Sequence, residues 1–193
     1  YTAFNMLDAT VGGYTSSTQK LRQAISIAIN EEEYISIFRN GRGGAAHGPI
    51  PTGIFGAAES HNPFVYDALD KRKDVSKAKD LMVQAGYAKG IDPATNKPLV
   101  LYFDTTASSA EDQPRLDWIR KQFKKIGIQL VIRSSSYNRL QDKMSKGQTQ
   151  LFELGWNADY PDPENFLFLL YGKNSKVETG GENGANYQNA EYD

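Results

Sequence analysis

Residues 155–166 carry the densest chemistry in this sequence. The run Gly155-Trp156-Asn157-Ala158-Asp159-Tyr160-Pro161-Asp162-Pro163-Glu164-Asn165-Phe166 sets three carboxylates side by side with two aromatics, Trp156 and Tyr160, ahead of Phe166. The acids are not equivalent. Asp162 stands before Pro163, where an aspartate N-cap followed by proline at the first helical position is an ordinary helix start. Glu164 then falls in the first turn, where a negative charge complements the helix dipole. Asp159 has no such local task and is the residue assigned to a ligand, the alternative being an Asx turn or simple solvation. Trp156 either presents its ring to that ligand or packs into the core. The ligand-contacting set is therefore Asp159 with its neighbours Trp156, Asn157 and Tyr160. An enzymatic alternative, an α/β hydrolase using Asp159 and Glu164 as an acid/base pair, requires both side chains to converge on one cleft.

Other chemistries find little support. Gly41-Arg42-Gly43-Gly44-Ala45-Ala46 matches a GxGxxA pattern, but a dinucleotide turn needs a strand before it and a helix after it. Here a helix precedes, and His47-Gly48-Pro49-Ile50-Pro51 follows. His47 and His61 are the only histidines. Neither has a second ligand at helical spacing, so both read as surface residues and no metal is expected. There is no G-x-S-x-G elbow, and the serines cluster at helix starts, where caps explain them. Cysteine is absent, which removes disulfides, thiolate catalysis and cysteine metal sites. No cofactor is expected. Lys and Arg number 22 against 23 Asp and Glu, so bulk charge does not draw nucleic acid or anionic lipid. No apolar run reaches about 18 residues, so no membrane insertion is expected.

The elements that must position Asp159 follow from periodicity. Leu21, Ala24, Ile25 and Ala28 recur at helical spacing to Asn30, which then caps a second helix carrying Tyr34, Ile35 and Phe38 to Gly41. The glycine- and proline-rich stretch 41–63 reads as an ordered loop. Asp74 caps a helix with Ala78, Leu81, Met82 and Ala85 inward and Gly86 beyond its end. After the turn-rich 92–98, the run 99–103 is a buried strand. Pro114 starts a helix near Asp112 that buries Leu116, Ile119, Phe123 and Ile126 and ends at Gly127. Residues 128–133 alternate as a strand, Tyr137, Leu140 and Met144 mark a helix closed by Gly147, and 151–156 is the next strand. A helix from Asp162 then buries Phe166, Leu169 and Leu170 up to Gly172. The order βαβαβα from residue 99 predicts an α/β fold: a mixed, largely parallel sheet flanked by helices. In such sheets ligands bind beyond the carboxyl ends of the strands, where Asp159 lies.

Four segments carry a family resemblance. Lys20-Leu21-Arg22-Gln23-Ala24-Ile25-Ser26-Ile27-Ala28-Ile29-Asn30 resembles "(V/L)RQA(L/I)xxAI(D/N)", and Gly48-Pro49-Ile50-Pro51 is similar to "GPIP". Residues 74–87 resemble "DxxKAKxLLxxAGY". Ile126-Gly127-Ile128, with Gly155-Trp156 and Asp159-Tyr160-Pro161-Asp162-Pro163, is similar to "KIGI…GWxADYxDP". Their order and spacing across nearly the whole chain resemble the solute-binding proteins of ABC importers, in the family of oligopeptide-, dipeptide- and nickel-binding proteins (family 5).

That resemblance implies a two-lobed protein more than twice this length that encloses solute between lobes. Residues 1–193 would form a single lobe, mostly the second, with the first lobe and a C-terminal segment lying elsewhere in a longer chain. It implies a non-enzymatic role, a peptide ligand, a cognate ABC permease as partner and a monomeric state. The location would be periplasmic or extracellular, with lipid anchoring left open. Asp159 falls where peptide-binding members hold the ligand's α-amino group. Glu153 departs from the arginine of some oligopeptide binders, which leaves ligand length and recognition of the C-terminus open. Nickel, sugar or other solutes remain alternatives within the family.

Overall fold

A computed structural model describes residues 1–58, 61–67 and 73–193. The strands are β1 (Thr2–Phe4), β2 (Ile91–Asp92), β3 (Lys97–Pro98), β4 (Val100–Thr105), β5 (Gln129–Ser134) and β6 (Leu151–Glu153). The α-helices are α1 (Ser16–Ala28), α2 (Glu31–Phe38), α3 (Val75–Gln84), α4 (Gln113–Lys124), α5 (Tyr137–Ser145), α6 (Glu164–Leu167) and α7 (Lys176–Thr179). The main sheet runs β1-β6-β4-β5, with β4 parallel to both β5 and β6, and β1 antiparallel at the edge. The expected mixed, largely parallel sheet is what the chain forms. Strand β1 and the small β2–β3 hairpin had no signal strong enough to read in advance.

Strand alternation sends successive side chains to opposite faces. Leu101, Phe103, Leu130 and Leu151 join α1, α3 and α4 in the large core. Phe152 points the other way, onto Leu140 and Met144 of α5. Helices therefore cover both faces. From β4 the chain moves through α4 to β5 on one side, then returns through α5 to β6 on the other. This reversal makes the carboxyl ends of β4 and β6 the switch point of the sheet, where open α/β sheets bind ligands.

The caps follow local chemistry. Asn30 Oδ1 accepts from the Glu33 amide (3.0 Å), Asp74 Oδ1 from the Ser76 amide (2.7 Å) and Ser136 Oγ from the Arg139 amide (3.4 Å). Thr15, one residue ahead of the serine pair, caps α1. No helix or strand falls within the described part of 41–67, as its glycine and proline content predicts.

Three expectations need correction. The strand read over 151–156 is three residues long, because β6 stops pairing at Glu153. The helix after Asp162 is short: α6 ends at Leu167, and a turn carries the chain on, leaving Leu169 and Leu170 only half-buried. The histidines are half-buried, with ring centroids 4.1 Å apart and the buried Tyr66 ring beside them. Sequence spacing alone could not bring His47 and His61 together.

Candidate ligand-binding site

Strand β6 ends at Glu153, and the segment that follows is held from one buried side chain. Asn165, 2% exposed, sits in α6. Its Oδ1 accepts from the Trp156 indole Nε1 (3.0 Å) and from the Asp159 amide (3.1 Å). Trp156 also packs edge-on against Phe168, with centroids 5.3 Å apart. Trp156 is thus half-buried and structural in its indole N–H, while Asn157, Asp159 and Tyr160 are exposed.

Asp162 does the capping work expected of it one position early: its Oδ1 accepts from the Glu164 amide (2.9 Å), with Pro163 at the helix boundary. The Asp159 carboxylate makes no hydrogen bond or ion pair among the described residues. Among those residues it neither closes an Asx turn nor pairs with a cation. A side chain placed on Gly56 would meet Ile50 Cδ1 at 3.5 Å and Pro163 Cγ at 4.0 Å, so the Pro49-Ile50-Pro51 turn borders the same loop.

Beside this loop, at the switch point, lies a cavity of about 970 Å³. Phe103 of β4 lines it with Thr106 and Ala107 just beyond that strand, Glu153 of β6 with Leu154 and Gly155 just beyond, and Tyr34 and Trp118 from α2 and α4. Its volume falls within the usual range for small-molecule sites. Asp159 and Glu164 are not in its wall, and nothing in the arrangement converges them on a common substrate atom.

The cavity's charges are mostly compensated. Glu153 Oε1 pairs with Arg115 Nη1 at 2.6 Å, and its Oε2 accepts from the Thr105 hydroxyl at 2.9 Å. Burial disfavours the Arg115 charge, but the hydrogen bond and charge of Glu153 outweigh it and hold its pKa above the ordinary arginine value. Asp112 accepts from the Ser109 hydroxyl (2.7 Å) and from the Ser108 and Ser109 amides. The hydroxyl and amide of Ser109 hold its carboxyl below the usual range. Glu31 pairs with Lys73 at 2.5 Å. No group of three or more metal-ligating side chains occurs among the described residues.

Fold and site together define an α/β chain with a cavity at the switch point of a largely parallel sheet. The family model of bacterial extracellular solute-binding proteins, family 5, middle region, matches residues 1–178, and the chain belongs to that family. It is 27% identical over 169 residues to the dipeptide-binding protein of Escherichia coli, covering 87% of this chain and 28% of that one. It is 26% identical over 175 residues to the heme-binding protein A of Haemophilus influenzae, covering 90% of this chain and 29% of that one. A solved relative, the ABC transporter-associated periplasmic binding protein DppA of Helicobacter pylori in complex with peptide STSA, superposes with a TM-score of 0.77 at 25% identity. That match covers 99% of this chain and 33% of the solved one. The chain thus spans about a third or less of the relatives it matches.

Asn165, Arg115 and the partnering of Glu153 were not singled out from the sequence. A signal existed for Asn165, since asparagine inside a first helical turn is a poor helix former unless its side chain has other work.

Proposed function

We propose that residues 1–193 form one lobe of the solute-binding component of an ABC importer, and that the protein captures peptides between this lobe and a second one. The observation that carries the reading is Asp159: an exposed carboxylate without a partner among the described residues, on a loop fixed by Asn165, beyond the carboxyl end of a parallel strand. Membership of family 5 and likeness to a dipeptide-binding protein support a peptide as the solute. A peptide brings one fixed cation at its amino terminus and a repeating backbone. One anchoring carboxylate then recognises every sequence, with Trp156, Asn157 and Tyr160 framing the amino end. Lobe closure strips water from the ion pair and strengthens it, so capture is coupled to a hinge motion. The protein works as a monomer outside the cytoplasm, delivers to a cognate permease and performs no chemistry on its cargo.

The test is calorimetric titration of the full two-lobed protein with trialanine. Asp159→Asn is expected to preserve the fold and to cost about 2–5 kcal/mol of binding, because the peptide ammonium is then enclosed without its counter-charge. Unchanged affinity would remove Asp159 as the anchor. Mass spectra of the incubated mixture should show intact peptide, and cleavage products would overturn the binding-protein reading.

A further inference from the structure

His47 and His61 are the only histidines in the chain, and the fold brings their rings into contact. The centroids stand 4.1 Å apart with the planes tilted by 44°. The buried Tyr66 ring meets both edge-on, at 4.8 Å from His61 and 6.2 Å from His47. His47 Nδ1 is buried with no hydrogen-bond partner among the described residues. A neutral imidazole can turn its lone pair there, whereas an imidazolium is a donor at both nitrogens and would bury an N–H without an acceptor.

The charges around the pair do not neutralise it. Glu31 and Glu32 of α2 act on the Tyr66 phenol. Lys73 Nζ stands 5.2 Å over the Tyr66 ring, donates to the Ser26 and Ile29 carbonyls and pairs with Glu31 at 2.5 Å. Asp67, next after Tyr66, is partnered as well. Glu31 is therefore taken by a lysine, and no carboxylate among the described residues forms an ion pair with either imidazole.

The contact also sits where it bears on the binding loop. Ala46 is in the cavity wall and His47 follows it, leading directly into Gly48-Pro49-Ile50-Pro51. That turn reaches Pro163 through Gly56. No helix or strand holds the described part of 41–67, so side-chain contacts such as this one must fix its course.

We propose that the His47–His61 contact is an acid-released clasp, holding the 48–51 turn beside the Asp159 loop while at most one ring is charged and letting go when both are. Histidine changes charge between about pH 5 and 8. One imidazolium against a neutral ring is held by cation–π attraction, but two imidazoliums at this separation repel. The clasp is therefore closed at neutral pH and opens as pH falls through the histidine range. Capture of solute weakens on acidification, and the weakening needs both rings.

Hydrogen exchange of the full two-lobed protein, read by mass spectrometry at about pH 7.5 and about pH 5.5 and corrected for the intrinsic rate at each, follows the amides of 48–57 across that range. The expected result is that their protection falls about tenfold in acid in wild type and holds in both His47→Phe and His61→Phe, which keep a ring and remove one charge. Either variant decides the matter if the other fails to fold, because losing one charge removes the repulsion. Equal protection at the two pH values in wild type, or a fall that persists in a folded single variant, overturns the clasp. Trialanine titrated calorimetrically under the same conditions tests the link to capture, and this arm alone rests on the peptide reading above. Its affinity should drop about tenfold in acid in wild type and hold in the variants. Protection that falls while affinity holds overturns the link, and failure of trialanine to bind at either pH overturns the peptide reading while the exchange data still decide the clasp.

Discussion

Asn165 decides whether Asp159 is a positioned charge or a wandering one. A single oxygen accepts from both the Trp156 indole and the Asp159 amide. Asn165→Leu keeps the approximate volume but leaves both donors without their acceptor, which costs about 1–3 kcal/mol for groups removed from water. The expected outcome is a lower urea midpoint together with weaker peptide binding, although the Asp159 carboxylate itself is untouched. At this scale the sequence was partly legible. That Asp162 and Glu164 had local duties and Asp159 had none could be read from spacing, because capping is a matter of neighbours. That Glu153 would face Arg115 could not, since those residues are 38 apart and meet only when β6 lies beside β4.

Elements show the same division between local and distant causes. Helices α1 to α5 were legible because a 3.6-residue apolar stripe and a cap are both short-range signals. Strand β1, three residues long, exists because Thr2, Ala3 and Phe4 pair with 153, 152 and 151, which no local pattern announces. Gly127 was read as a helix terminator. It is also a point of close approach: a Cβ on Gly90 would lie 2.3 Å from the Gly127 carbonyl oxygen. The junction of α5 with β4 gives the sharpest element-level test. Asp104 is wholly buried on β4, and Lys143 of α5 pairs with one of its oxygens while the other has no partner. Lys143→Met would leave that carboxylate buried and unpaired, at a cost of about 3–5 kcal/mol. Urea unfolding checks this, and Asp104→Asn combined with Lys143→Met should recover part of the loss.

For the molecule as a whole, the order of strands and helices from residue 99 was readable because alternating elements admit few right-handed arrangements. The position of β6 beyond β4, which creates the switch point, was not. The folded chain also sets a limit at high pH. Burial, followed by Glu31 and Glu32, raises the Tyr66 phenol from its ordinary 10.0 to about 12. Burial, followed by Glu182 and Tyr137, does the same for Tyr1. The unfolded chain releases these protons near pH 10 and the folded chain only near pH 12. The stability they contribute is therefore fully present below about pH 10 and lost as pH rises toward 12. Burial also raises Tyr87 and Tyr192, so phenolate absorbance should show four of the eleven tyrosines titrating late, Tyr1 and Tyr66 near pH 12, with the urea midpoint falling over the same interval.

One long-range knot has a consequence of another kind. Asn5 is fully buried, donates to the carbonyls of Gly147 and Thr149, and accepts from the Asn186 side-chain amide, while the Met6 amide donates to the Ala185 carbonyl. Residues 5–6 and 185–186 are thus neighbours in space although nearly the whole sequence separates them. A unit entered and left at adjacent points can be lifted out of one polypeptide and set into another without stretching either host strand. Recombination between relatives at these two places would exchange the Asp159 loop, its supporting helices and most of the cavity wall as a set in a single crossover pair, while Tyr1, Thr2 and Phe4 of that wall stay with the host.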